Sequence, residues 1–107
     1  MPSQQQLHAF TQAFHRVAFE RLVAQPALVE RALQTISRWK TQRGASASDP
    51  YMHEWQALLK GDLSQLQIRV CAEDDHAAAL RNTSPLGFVL TPAERHVLRG
   101  ESMGRAA

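Results

Sequence analysis

The chain has 107 residues, of which 44% are hydrophobic, 21% charged and 7% aromatic, and its formal net charge is +2. This composition is that of a folded chain rather than a disordered one, and the length allows one small domain. The slight net charge does not indicate the concentrated basic face that is typical of nucleic-acid binding. The single cysteine excludes an internal disulfide framework, no apolar run approaches the ~20 residues of a membrane span, and the Gln-rich start lacks a signal peptide's regions. We therefore expect one domain over residues 1–107, in the bacterial cytoplasm and away from membranes.

Apolar residues recur at spacings of three and four along most of the chain, which is the spacing of helices that bury one face. Proline and Asp, Ser or Thr mark the predicted helix starts, and glycine marks several of the ends. No internal repeat and no convincing strand is present. The sequence thus predicts an all-α fold, a small single-domain bundle of about five helices with an apolar C-terminal loop and a frayed tail over 100–107. The predicted helices cover about 4–24, 26–43, 50–60, 62–80 and 92–100.

Residue types that carry chemistry are few and poorly spaced. His8 and His15 lie seven residues apart, two helical turns, so they cannot share one metal ion from a helix face, and the lone Cys71 offers no second thiolate. The run 74–76, Asp-Asp-His, points its neighbouring side chains in different directions if it is helical. Ser84 precedes a proline and has no glycine elbow around it. We expect no catalytic residues, no metal and no cofactor, hence no enzyme.

DNA binding is a second class to weigh. The fourth and fifth predicted helices could be read as a helix-turn-helix, but the connection between them is too long for the usual three or four residues. Acidic Glu94 and Glu101 interrupt the basic residues of the last helix, which favours a solvated helix face. The basic residues that could meet phosphate are Arg95, His96, Arg99 and Arg105.

The most informative stretch is 81–99, where an apolar loop, 86–90, lies between a Ser84-Pro85 turn and the start of the last helix. Surface loops are usually polar, so this loop must bury its side chains somewhere. Two alternatives stay open: the loop folds back over the first and fourth helices to close the core, or it faces a partner. Arg81 and Arg95 flank it and could anchor a carboxylate or an acidic partner surface.

Three motifs resemble those of a family of short bacterial proteins. They are Arg38-Trp39, the segment 50–59 with the pattern P-x-x-x-E-W-x-x-L-L, and the segment 81–95, which is similar to an ending of the form R-x-x-S-P-F-x-G-V-L-T-P-x-E-R. The resemblance spans most of the chain, and the last motif is its most specific part. Here the segment reads Leu86-Gly87-Phe88, so the aromatic residue is displaced relative to the family's pattern.

Members of this family look like the small partners in bacterial toxin–antitoxin or effector–chaperone gene pairs. The resemblance implies a non-catalytic antitoxin or chaperone-like protein that binds a cognate toxin or effector encoded nearby. Such a protein acts sterically, through a few buried anchors and a polar rim. Phe88 and Leu86 would be the anchors, with Arg81 and Arg95 as rim contacts. The candidate partner-binding residues are Arg81, Ser84, Pro85, Leu86, Phe88, Leu90 and Arg95.

The alternative function is a small DNA-binding transcriptional regulator that controls its own operon, since many antitoxins combine both tasks. Salt-dependent binding to its promoter would favour that alternative, because phosphate contacts release counterions. An enzyme ranks third, because it would require a pocket with convergent polar groups that the sequence does not indicate.

Overall fold

The computed structural model describes residues 4–102, and over this range the chain forms six α-helices and no strand. The all-α fold predicted from the apolar spacing is confirmed. None of the helices in this range is both long and apolar enough to span a membrane. The helices are α1 (Gln4–Ala24), α2 (Ala27–Arg43), α3 (Asp49–Lys60), α4 (Leu63–Val70), α5 (Asp75–Asn82) and α6 (Pro92–Ser102), with a short 3-10 turn at Gly87–Val89.

Helix α1 is the central element, because it packs against α2, α4, α5 and α6. Phe14, Ala18 and Leu22 recur every four residues and are buried, and His15 and Phe19 form a second buried row beside them. Two buried rows give a helix contacts on two sides. The outer end of α1 is less enclosed, and Leu7 there is exposed.

Trp55 of α3 lies in the centre of the core, fully buried, and its indole Nε1 donates a hydrogen bond to the carbonyl oxygen of Leu80 at 2.9 Å. A buried indole N–H needs such an acceptor, and the end of α5 supplies it. All helices except α6 contribute to this core. Its members are Phe14, Ala18, Phe19, Leu22, Ala32, Ile36, Met52, Trp55, Leu59, Leu66, Val70, Leu80, Leu86, Val89 and Leu90.

The prediction of one helix over 62–80 is wrong, because the structure divides this segment into α4 and α5. Helix α4 ends at Val70, and Cys71 is its C-cap. Asp74 is the N-cap of α5, in an extended conformation, and its carboxylate accepts the Ala77 N–H at 2.7 Å. Asp is a strong N-cap residue, so it begins a new helix where the apolar spacing alone suggests continuation. Buried Arg81 satisfies the free carbonyls at the break, donating to Val70 O at 2.6 Å and to Ala72 O at 2.9 Å.

Helix α6 begins as predicted and ends later. The Thr91 N–H donates to the Glu94 carboxylate at 2.9 Å, and the Glu94 N–H donates to Thr91 Oγ1 at 3.1 Å, which is the reciprocal arrangement of a capping box. The helix continues to Ser102, two residues past its predicted end at Gly100. Residues 103–107 of the predicted frayed tail lie outside the described residues.

Candidate functional site

The apolar loop lies in the protein's own core, so the first of the two alternatives describes the isolated chain. Pro85 and Leu86 are fully buried, and Leu90 is nearly so. Phe88 is half-buried, packs against the rim of the core and lies beneath the Arg31 guanidinium, whose carbon is 4.4 Å from the ring centre. Contact of these residues with a partner stays a prediction. Phe88 is a large apolar side chain of the loop that is partly exposed to solvent.

Arg81, which the resemblance implies as a rim contact, is buried in the free chain. One of its terminal nitrogens caps the end of α4, and its Nε is shielded from solvent without a hydrogen-bond acceptor. Burial lowers the pKa of the Arg81 guanidinium, which nevertheless stays charged because an arginine pKa starts far above neutrality. The residue therefore carries a buried positive charge with donor capacity left over.

Arg95 lies close to the same place from the side of α6. Its guanidinium is 5.3 Å from the centre of the Phe14 ring, and one terminal nitrogen donates to the carbonyl oxygen of Gly87. Its Nε is also shielded and has no acceptor. An unsatisfied buried donor typically costs ~1–3 kcal/mol, so each of these two nitrogens requires a structural explanation.

A histidine–serine pair joins α1 to the loop, and the sequence did not indicate it. The Ser84 hydroxyl lies 2.8 Å from Nε2 of His15, and Nδ1 of His15 lies 2.7 Å from the Thr11 carbonyl oxygen. The carbonyl oxygen can only accept a hydrogen bond, so Nδ1 carries the proton and Nε2 accepts a hydrogen bond from the serine hydroxyl. His15 falls on the buried face of α1, four residues before Phe19, and this position was the available signal.

The electrostatics of this pair argue against nucleophilic catalysis. Burial lowers the pKa of His15 to about 4; the hydrogen bond to the Thr11 carbonyl opposes that change, and the charge of Arg81 adds to it. A serine is activated by a base that can hold its proton near neutral pH. His15 is too weakly basic, and none of the ion pairs formed within residues 4–102 gives its imidazole a carboxylate partner. The pair instead ties the loop to α1, since Ser84 Oγ also accepts the Leu86 N–H at 3.1 Å.

These residues surround a cavity of about 200 Å³ between α1, the loop and the start of α6. Phe10 and Phe14 of α1 form apolar walls, and Arg81, Arg95 and Ser84 supply the polar part of the lining. The cavity therefore combines aromatic surface with two positive charges. We call it the α1–loop cavity.

An apolar groove lies on the other side of the α1–α6 contact, with a volume of about 370 Å³. Val97 projects from α6 and is 62% exposed, whereas Leu98 and Val17 are half-buried beside it. The Arg21 and Glu94 side chains form an ion pair along this groove, and Arg21 also donates to the Val89 carbonyl oxygen at 3.2 Å. The hydrogen bond from Arg21 is the main cause that lowers the pKa of Glu94 to about 2.

Other candidates for chemistry are accounted for by structure. Within residues 4–102 no group of three His, Cys, Asp or Glu side chains is placed to hold a metal ion. His76 contacts the Glu54 carboxylate at 2.6 Å, and Arg69 donates to the same carboxylate at 3.1 Å, which forms a half-exposed surface cluster. Burial raises the pKa of the Cys71 thiol, which disfavours the reactive thiolate.

Comparison of the chain with protein-family models, with curated proteins and with solved structures finds no match. The family resemblance therefore rests on the three motifs alone. In the structure, Trp55 and Leu59 of the middle motif are core residues, and much of the last motif closes the core. Arg38 of the first motif is exposed, and its neighbour Trp39 packs against the core edge.

Proposed function

We propose that this chain is a non-catalytic protein-binding partner, an antitoxin or chaperone-like protein that neutralises a cognate toxin or effector by direct binding. The observation that carries the proposal is the apolar groove between α1 and α6. Its exposed apolar residue, Val97, lies next to the last and most specific of the motifs that resemble the family. Exposed apolar surface in such a groove does not stabilise the isolated domain, whereas a bound partner removes that surface from water.

The shape of the groove favours an amphipathic helix of the partner as its occupant. Grooves between two helices commonly receive the apolar face of a third, with side chains at helical spacing as anchors. Here Leu98 and Val17 form the floor, and Val97 forms an exposed wall. The Arg21–Glu94 ion pair lies along the lining and supplies polar groups for the rim of the contact. Neutralisation on this proposal is steric and requires no chemistry from the chain.

Helix α6 suits this role because it is held mainly by α1 and contributes nothing to the fully buried core. A partner helix laid along the groove would touch both α1 and α6 and fix their relative position. A partner that binds only the folded form also stabilises the domain by mass action. We therefore expect the complex to unfold at a higher temperature than the free chain.

The test is co-expression of this chain with the product of the adjacent gene, read by growth and by co-purification of the two proteins. The informative variant is Val97→Lys, which places a charge in the groove while leaving α6 intact, because Glu94 and Glu101 lie three and four residues away as helical partners. We expect the wild-type chain to restore growth and Val97→Lys to lose that effect.

The matched control is Val23→Lys. Val23 is 64% exposed on α1 and does not line the groove. This variant therefore makes the same substitution at a similarly exposed position outside the groove. Equal neutralisation by both variants would remove the groove from the interface. An adjacent product that is harmless and does not co-purify, with promoter DNA retained in a salt-dependent manner instead, would replace the proposal with the regulator alternative.

A further inference from the structure

We propose that the α1–loop cavity binds a carboxylate attached to a small apolar group. The observation behind it is that two arginines without a carboxylate partner in the described part of the chain, Arg81 and Arg95, line one and the same cavity. Neither guanidinium has an Asp or Glu oxygen within 4 Å in residues 4–102, where the ion pairs all involve other residues. A bound carboxylate would compensate the two positive charges.

The rest of the lining narrows the chemistry of the ligand. Phe10 and Phe14 form apolar walls, which disfavour a strongly hydrated dianion such as phosphate. The donors are also few, because Arg81 already caps α4 and Arg95 already bonds Gly87. Two guanidinium groups with part of their donors already used match the two oxygens of a carboxylate better than the larger oxygen set of a phosphate.

The hydroxyl and imidazole of the cavity do not alter this preference. The Ser84 hydroxyl donates a hydrogen bond to His15 and accepts one from the Leu86 N–H, so its hydrogen-bonding capacity is largely used within the protein. The lowered pKa of His15 keeps the imidazole neutral at pH 7, so it adds no charge. The positive charge that faces the ligand therefore belongs to Arg81 and Arg95.

The size of the cavity sets the size of the ligand. A volume of about 200 Å³ exceeds that of several water molecules at ~30 Å³ each and is below the range of drug-sized pockets, ~300–1,000 Å³. One aromatic ring or branched aliphatic group fits it. A free small acid and the carboxyl terminus of a peptide that ends in an apolar residue share this chemistry.

This inference goes beyond the proposed function and does not depend on it. The α1–loop cavity and the groove have no lining residue in common. The experiment uses the isolated full chain and small probes, so its failure would leave the groove proposal untouched, and failure of the groove proposal would leave this one in place.

The experiment is an NMR titration of the labelled chain at pH 7 and constant ionic strength, following the arginine Nε–H signals. The first arm compares phenylacetate with its neutral amide, phenylacetamide. We expect phenylacetate to shift the signals of Arg81 and Arg95 saturably and phenylacetamide to shift neither. The second arm compares a short peptide ending in Phe with its C-terminally amidated form; tighter binding of the free-carboxyl peptide than of phenylacetate would identify a peptide terminus as the source, and the reverse a free acid.

The variant is Arg95→Gln, with Arg16→Gln as its control. Arg95 is preferred to Arg81, whose loss would also uncap α4. Removal of one charge-assisted contact is expected to weaken phenylacetate binding about tenfold, whereas replacement of exposed Arg16 on α1 should leave it unchanged. Any of three results would overturn the proposal. The wild-type chain would respond equally to phenylacetate and phenylacetamide, the shifts would not saturate, or the two variants would bind phenylacetate with equal affinity. The comparison of acid with amide on the wild-type chain stands even if Arg95→Gln is unstable.

Discussion

Acid should destabilise this protein well above the pH at which carboxylates titrate, and His15 is the cause. Burial lowers the pKa of His15 in the folded chain to about 4, against 6.5 for an unperturbed histidine. As the pH falls below 6.5, His15 therefore binds a proton in the unfolded chain but stays neutral in the folded chain. The contribution of His15 to the free energy of unfolding is fully present above about pH 6.5 and is lost progressively as the pH falls towards 4. Below pH 4 this residue causes no further loss.

The size of the effect follows from the two pKa values. A pKa difference from 6.5 to about 4 corresponds to a full loss of about 3 kcal/mol, at ~1.4 kcal/mol per pH unit, and to about 2 kcal/mol at pH 5 relative to pH 7.5. Domains of this size are stable by roughly 5–15 kcal/mol. The loss is therefore a substantial fraction of the total, which makes it measurable.

The assay is urea unfolding of the wild-type chain and of His15→Gln between pH 7.5 and pH 5, followed by circular dichroism. Glutamine can still donate and accept hydrogen bonds near Thr11 and Ser84 but does not titrate. We expect His15→Gln to be less stable at pH 7.5 and to show a flatter dependence of the unfolding free energy on pH. The control His53→Gln, at an exposed position on α3, should keep the wild-type slope. Identical slopes for the wild-type chain and His15→Gln would refute the reasoning.

Three further predictions concern the loop, the core and the last helix. Leu86→Ala should lower the free energy of unfolding by about 3 kcal/mol, because it leaves a cavity at a fully buried site. Phe88→Ala, at a half-buried site, should lower it by about 1 kcal/mol and leave helicity intact. If urea unfolding shows a larger loss for Phe88→Ala than for Leu86→Ala, Phe88 rather than Leu86 is the core anchor of the loop. Trp55→Phe should cost about 2 kcal/mol by the same assay, since it removes the hydrogen bond to Leu80 and some buried volume; an unchanged unfolding midpoint would contradict this. Thr91→Ala should cost about 1 kcal/mol and speed hydrogen exchange in the first turn of α6, because it removes the side-chain cap; unchanged exchange rates there would show that the cap does not hold the helix start.

The helices were predictable to the extent that local signals mark them. Pro26, Gly44 and Gly61 lie at the boundaries the structure has, and Gly44 adopts the positive φ of +70° that favours glycine. The prediction failed over 62–80, where apolar residues continue in register across the break between α4 and α5. Asp74, as an N-cap residue, is the local signal that marks this break, whereas the apolar spacing alone does not show it.

The two candidate sites were less predictable, because both depend on long-range contacts. The sequence places Arg81 and Arg95 on either side of the loop and identifies them as possible carboxylate anchors, but it does not show that one is buried. Nor does it indicate the His15–Ser84 contact, whose members are 69 residues apart. The groove likewise requires α6 to lie against α1, which no local pattern in either helix specifies.

The sequence by itself determined the fold class, the single small core and most helix boundaries, because helical periodicity and caps act over a few residues. The tertiary structure decided which side chains are core and which are surface in the loop, turning Leu86 inwards and leaving Phe88 half-exposed. It also decided that Arg81 and Arg95 share one cavity. The physical reason is that burial depends on which helices meet, and that choice minimises the free energy of the whole chain rather than of any one segment.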